Sequence, residues 1–159
     1  MTNQVVQPYQ GDPELGHLST PISDSALVRS WINALPAYRK GMAPLTRGLE
    51  IGLAHGNFLV GPEILLGALR DFEVAPYIGG LVTAIAIVLL GTACMNAHGL
   101  VSLKPTAELP PGTDALKTSE GWSEMAAGFF IGGSSGAFMA YFLLAHFEEI
   151  NAIFRGFVN

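Results

Sequence analysis

Leu81-Val82-Thr83-Ala84-Ile85-Ala86-Ile87-Val88-Leu89-Leu90-Gly91-Thr92-Ala93 decides the class of fold. It is the centre of a longer stretch, residues 74–103, that contains no Asp, Glu, Lys or Arg. About 20 such residues cross the hydrocarbon core of a bilayer as a helix. A second apolar run follows from Met125 to Phe147, through Phe129, Phe130, Ile131, Phe138, Met139, Phe142, Leu143 and Leu144. Both runs are apolar on all sides, which a helix on the surface of a soluble protein is not.

Composition agrees. Half of the 159 residues are hydrophobic and only 13% are charged, against about a quarter charged in ordinary soluble domains. The 19 glycines suit helices whose backbones approach closely in lipid better than a soluble bundle, where each interior glycine costs about 1 kcal/mol. A formal charge of −5, with no basic stripe, argues against a nucleic-acid partner. Cys94 is the single cysteine; it can form no internal disulfide, and its apolar surroundings suggest inert packing.

A third candidate span runs over about 45–66. Arg47, Glu50 and His55 lie in it and Pro62 interrupts its end, so an interfacial or re-entrant helix is the competing reading. Charge bias favours a full crossing. With three spans, the N-terminal region and the loop at 104–124 share one side and hold Arg29, Arg39, Lys40, Arg47, Lys104 and Lys117, leaving Arg70 and Arg155 opposite. The side richer in Lys and Arg is the cytoplasm or stroma. The expected fold is therefore an all-α membrane protein with three transmembrane helices, at about 45–66, 76–101 and 123–147. Residues 1–44 form a polar cytoplasmic (stromal) segment, and the C-terminal tail is lumenal.

Local signals fill in the rest. Residues 1–26 are polar, proline-rich and without an apolar signal region, and they are too acidic and Arg-poor for a transit peptide. Ala26, Leu27, Trp31, Ile32 and Leu35 are spaced for a short amphipathic helix at the membrane surface. Leu109-Pro110-Pro111-Gly112-Thr113-Asp114 reads as a surface loop. Ser119 or Ser123 is placed to cap the last span, with Glu120 and Glu124 favourable to its dipole. Gly128, Gly132, Gly136 and Ala140 form a ridge for close approach of another helix or a pigment.

Few residues offer chemistry. Five positions apart on a helix, Glu50 and His55 stand about 140° apart, so they form neither one compact metal site nor an acid–base couple. Each can offer a lone pair to the axial position of a macrocycle magnesium, a hard acceptor of nitrogen or oxygen. Equally, Glu50 can pair with Arg47 across one turn and His55 can bond a neighbouring carbonyl. His98 and His146 sit near span ends, and His17 lies in the polar N-terminal segment. Asp71 lies in one short loop with Glu63 and Glu73; clustered oxygens suit calcium, though like charges in a loop also stay simply solvated.

Two other classes compete. Gly133-Ser134-Ser135-Gly136 matches the short motif of intramembrane serine proteases, with Ser135 as nucleophile and His55 or His98 as base. Three spans are too few to enclose a watery catalytic cavity. A small channel or transporter is the second, but the sequence has no inverted repeat and no charged path through its two apolar spans.

Longer motifs point to a family. Gly11-Asp12-Pro13 and Gly16-His17-Leu18-Ser19-Thr20-Pro21-Ile22-Ser23-Asp24-Ser25 resemble the N-terminal signature of photosystem I reaction centre subunit XI (the L subunit). So do Leu35-Pro36-Ala37-Tyr38-Arg39-Lys40-Gly41, Arg47-Gly48-Leu49-Glu50-Ile51-Gly52-Leu53-Ala54-His55-Gly56, Leu69-Arg70-Asp71, Lys117-Thr118-Ser119-Glu120-Gly121-Trp122 and Ala127-Gly128-Phe129-Phe130-Ile131-Gly132. The resemblance implies a non-enzymatic three-helix subunit of the thylakoid membrane, at the edge of the photosystem I core. Its partners would be the large core subunits, other photosystem I subunits, membrane lipid and neighbouring copies of itself in trimers or tetramers. It would bind chlorophyll a and beta-carotene, and the family's chlorophyll ligands fall on Glu50 and His55. No such role transfers to His98. Ala145-His146-Phe147-Glu148-Glu149 departs from the family pattern, and the missing transit peptide suggests a cyanobacterial source.

Overall fold

In a computed structural model, residues 7–8, 18–22, 25–73 and 75–157 are described. His17 and the Gly11–His17 part of the N-terminal signature lie outside them, as do Ser23, Asp24 and Val158. The chain divides into two units, Met1–Gly41 and Met42–Asn159.

In the first unit, β1 (Gln7–Pro8) pairs antiparallel with β2 (Leu18–Ser19). Helix α1 spans Ala26–Ala34, and the Ser25 hydroxyl accepts from the Val28 N–H at 3.3 Å to cap it. Leu27 and Trp31, one turn apart, are exposed, as the amphipathic spacing requires.

The second unit is a helical bundle. Helix α2 spans Pro44–Leu66, α3 Ala75–Ser102, α4 Ser119–Ala145 and α5 Phe147–Phe154. At 1.5 Å per residue, α3 and α4 are each about 40 Å long and α2 about 34 Å, all longer than a ~30 Å hydrocarbon core. Among the described residues, α3 and α4 are the helices both long and apolar enough to cross a membrane. The third expected span exists as a helix of the expected length, with Pro at its first position and Pro62 inside it, but Arg47, Glu50 and His55 keep it from counting with them. Large apolar side chains project outward from the bundle, among them Val82, Leu89, Leu90, Phe138 and Phe142. A water-soluble domain does not present such a continuous apolar surface. Cys94 is exposed on α3, so it faces away from the bundle and is not packed inside it.

Helices α2 and α4 run parallel, with α3 antiparallel to both. The order of close approaches shows this. Gly48 meets Met125, Gly52 meets Phe129 and Gly56 meets Gly133, whereas Gly80 of α3 meets Ile64 and Gly99 meets Trp122. The core where the three helices meet is built from Val60, Ala84, Ala137 and Ala140, with Leu59, Ile64, Leu81 and Ile85 against it. Small residues dominate because association in lipid depends on close packing, the surroundings being as apolar as the core.

The α3–α4 connection is strapped to the start of α4. Two 3-10 turns, Thr106–Glu108 and Ala115–Lys117, flank the Pro110–Gly112 turn, where Gly112 has φ +83°. The Thr106 backbone N–H and hydroxyl both donate to Glu120 Oε2 at 2.9 Å, and the Trp122 indole N–H donates to the Leu116 carbonyl at 2.8 Å. The cap of α4 is Thr118 and neither Ser119 nor Ser123: its Oγ1 accepts from the Gly121 N–H at 3.0 Å and donates to the Ala115 carbonyl at 2.7 Å. The strap sets this choice, because the Lys104–Thr118 bridge holds Thr118 extended, as a cap must be. Thr118→Ala is expected to cost the bundle about 1–2 kcal/mol, while Ser123→Ala costs under about 0.5 kcal/mol. Denaturant titration in detergent micelles, followed by far-UV circular dichroism, measures both.

Candidate functional site

The geometry of α2 follows from its glycines. Gly48, Gly52 and Gly56 are buried, and they meet the buried Gly128, Gly132 and Gly136 of α4. A Cβ on Gly48, Gly52 or Gly56 would overlap the carbonyl oxygen of Met125, Phe129 or Gly133. One on Gly128, Gly132 or Gly136 would overlap that of Leu45, Leu49 or Leu53. The two ridges interlock backbone against backbone, which suits Cα–H···O contacts between helices. The α4 ridge is the one read from the sequence. Its counterpart on α2 carries the same spacing of four and is the functional feature that reading missed.

With the glycine face turned inward, the positions between point elsewhere. His55 is exposed, and its Nδ1 lies 2.8 Å from the Ile51 carbonyl oxygen one turn back. A carbonyl only accepts, so Nδ1 is the donor in this contact, and in a neutral ring the lone pair is then on Nε2. Metal-ligating histidines commonly have their second nitrogen tied to a carbonyl in this way. The edge of Phe129, on α4, closes on the ring with centroids 5.7 Å apart. The bond to a neighbouring carbonyl, one of the two sequence readings of His55, is present, and it leaves the other ring nitrogen uninvolved in that contact. Glu50 is half-buried on the same helix, one turn after the buried Arg47. The structure does not bring Glu50 and His55 together as one site.

The other candidates lie apart. Asp71 is exposed, with Oδ2 3.7 Å from Arg70 Nη2. Among the described residues no three His, Cys, Asp or Glu side chains gather as a metal-holding group, so Asp71, Glu63 and Glu73 do not close around an ion within this chain. His98 lies edge-on to Trp122, centroids 4.4 Å apart, and His146 lies 5.0 Å from Phe142. Ser135 donates its hydroxyl to the Ile131 carbonyl at 2.8 Å. A serine nucleophile has to give that proton to a base.

Comparison with known proteins places these features. A family model described as "Photosystem I reaction centre subunit XI" matches residues 5–149. The chain is 57% identical over 158 residues to a Synechocystis sp. protein named "Photosystem I reaction center subunit XI", covering 99% of this chain and 98% of that one. A protein of the same name from Trichodesmium erythraeum is 56% identical over 97% of this chain and 94% of its own length. A third, from Thermosynechococcus vestitus, is 53% identical over the full length of both.

Proposed function

The chain belongs to the photosystem I reaction centre subunit XI family, and from that premise we propose that it binds antenna chlorophyll a and joins photosystem I monomers into trimers or tetramers. As a member of that family it is a structural photosystem I subunit of the thylakoid membrane, associated with other subunits of the complex, and not an enzyme. The protease reading of Ser135 falls with that.

The observation that carries pigment binding is the His55 imidazole, its Nδ1–H held by the Ile51 carbonyl and its ring exposed beside an apolar helix surface. Its neutral Nε2 suits the open axial position of a chlorophyll magnesium. Glu50 is the second protein ligand, a carboxylate oxygen being a donor of matching hardness. Bound chlorophyll absorbs light and passes the excitation on; the chain's own part is to hold the macrocycle at a set position. Beta-carotene lies along the apolar outer surface of the helices. Asp71 donates to calcium only in company with donors from another chain, since among the described residues no three His, Cys, Asp or Glu side chains gather as a metal-holding group.

The third crossing is α2. It runs parallel to α4 with glycines interlocked from Gly48 to Gly56, so a membrane that α4 crosses encloses α2 over the same depth. Its polar side chains are tolerated where they meet protein or pigment and not lipid. The charge bias then sets the N-terminus in the cytoplasm or stroma and the C-terminus in the lumen.

His55→Leu tests the pigment site. The purified complex is expected to lose about one chlorophyll per copy of the chain, counted by extraction and absorbance, with the subunit still present at its normal level. An unchanged pigment count rules the assignment out.

A further inference from the structure

The end of the bundle formed by the C-terminal turns of α2 and α4 and the first turns of α3 carries two open clefts that share Tyr77 as a wall. One, of about 300 Å³, is lined by Glu73, Tyr77, Tyr141 and His146 among others. The second, of about 310 Å³, is apolar, with Ile64, Leu65 and Leu144 along it. Each is at the lower edge of the size of a small-molecule site. Together they offer a polar end and an apolar trough, at the level where the apolar helices meet water: α3 begins at Ala75 and α4 ends at Ala145.

The polar end has a definite chemistry. No hydrogen bond among the described residues engages the side chains of Glu73, Tyr77, Tyr141 or His146. A carboxylate accepts, a phenol does both, and a neutral imidazole donates once and accepts once. No Lys or Arg lines either cleft. A phosphate there would face the Glu73 carboxylate without a guanidinium or ammonium to offset it, whereas uncharged hydroxyls can answer all four groups. Glu73, Tyr77 and His146 are exposed at this end and Tyr141 is half-buried, so their polar atoms are open to a ligand. Tyrosines at this level are also the usual contact with headgroups.

We propose that this end of the bundle is a binding site for a diacyl lipid with an uncharged sugar headgroup. The sugar hydroxyls meet Glu73, Tyr77, Tyr141 and His146, and one acyl chain lies along Ile64, Leu65 and Leu144. The site requires the bundle to cross the bilayer, and it depends on neither pigment binding nor oligomer formation.

The test uses the full-length chain in nanodiscs of equimolar monogalactosyldiacylglycerol and phosphatidylglycerol, with retained lipid counted by native mass spectrometry after ejection. The wild-type chain is expected to keep the galactolipid over phosphatidylglycerol by about tenfold, a preference worth roughly 1.4 kcal/mol. Glu73→Lys should remove or reverse that preference, and Tyr141→Phe, a milder change, should lower galactolipid retention several-fold without altering insertion. Equal retention of both lipids by the wild-type chain overturns the proposal, as does an unchanged preference in Glu73→Lys. A chain that fails to enter the nanodisc overturns the membrane crossing and this site with it, while one that inserts but keeps no lipid overturns the site alone.

Discussion

Gly56→Leu is expected to leave no folded bundle. The Cβ alone would overlap the Gly133 carbonyl oxygen and stand 2.6 Å from its carbon and 2.9 Å from Cα. Overpacking a core ordinarily costs about 1–3 kcal/mol, because neighbouring side chains turn aside. Here the obstacle is the backbone of α4, which cannot move without breaking the neighbouring contacts at Gly52 and Gly132. The loss should exceed about 5 kcal/mol, the exceptional end of single substitutions and comparable to the whole stability of a small domain. Gly132→Leu should match it, because its Cβ would strike the Leu49 carbonyl from the other side. Gly61→Ala is the control. Its Cβ meets nothing within 4 Å, and alanine should add up to about 1 kcal/mol of helix propensity. Far-UV circular dichroism in detergent and the amount of subunit in purified complex report all three. A Gly56→Leu chain that accumulates and melts like wild type would show that α2 and α4 do not interlock.

Removing the whole subunit is expected to convert oligomeric photosystem I entirely to monomers, while light-driven electron transfer continues. Iron–sulfur clusters need several thiolates, and Cys94 is the single cysteine, so the chain cannot hold such a cluster by itself. Its exposed features instead suit assembly. Helix α5 follows α4 directly and presents Ile153 and Phe154 to the outside, 62% and 86% exposed, with Phe157 beyond them. Closed cyclic assemblies can be built from a patch on one copy meeting a different patch on the next, and a terminal apolar helix supplies one half of such a contact. A deletion strain examined on native gels, with photo-oxidation of the primary donor measured in parallel, decides the matter. Trimers or tetramers that persist without the subunit would sink the assembly role, and loss of donor oxidation would give the chain a part in electron transfer.

Much of this was legible in the residues. The stretch at 81–93 and the run at 125–147 announce two helices for lipid, because about 20 apolar residues match the thickness of a hydrocarbon core and these runs are apolar on all sides. The family signature is legible for a similar reason, since its motifs are long and in order. The cap of α4 is Thr118, where the sequence offered Ser119 or Ser123, because the choice among nearby hydroxyl residues depends on which one the connecting strap holds extended. Helix α2 was the hard case. Arg47, Glu50 and His55 dilute its apolar character, and its glycines contribute almost no hydrophobicity of their own.

The sequence by itself therefore determined the class of protein, the two apolar helices and the family. It could name Glu50 and His55 only as separate candidates. Tertiary structure decided where α2 belongs, through contacts between Gly48, Gly52 and Gly56 and backbone that follows much later in the chain. It also decided the environment of His55. The bond to Ile51 comes from the helix's own turn, but Phe129 reaches the ring only because the interlock brings α4 alongside. The physical reason is that hydrophobicity is carried by each residue and sums along the chain, whereas the fit of one backbone against another belongs to the pair and exists only once both are in place.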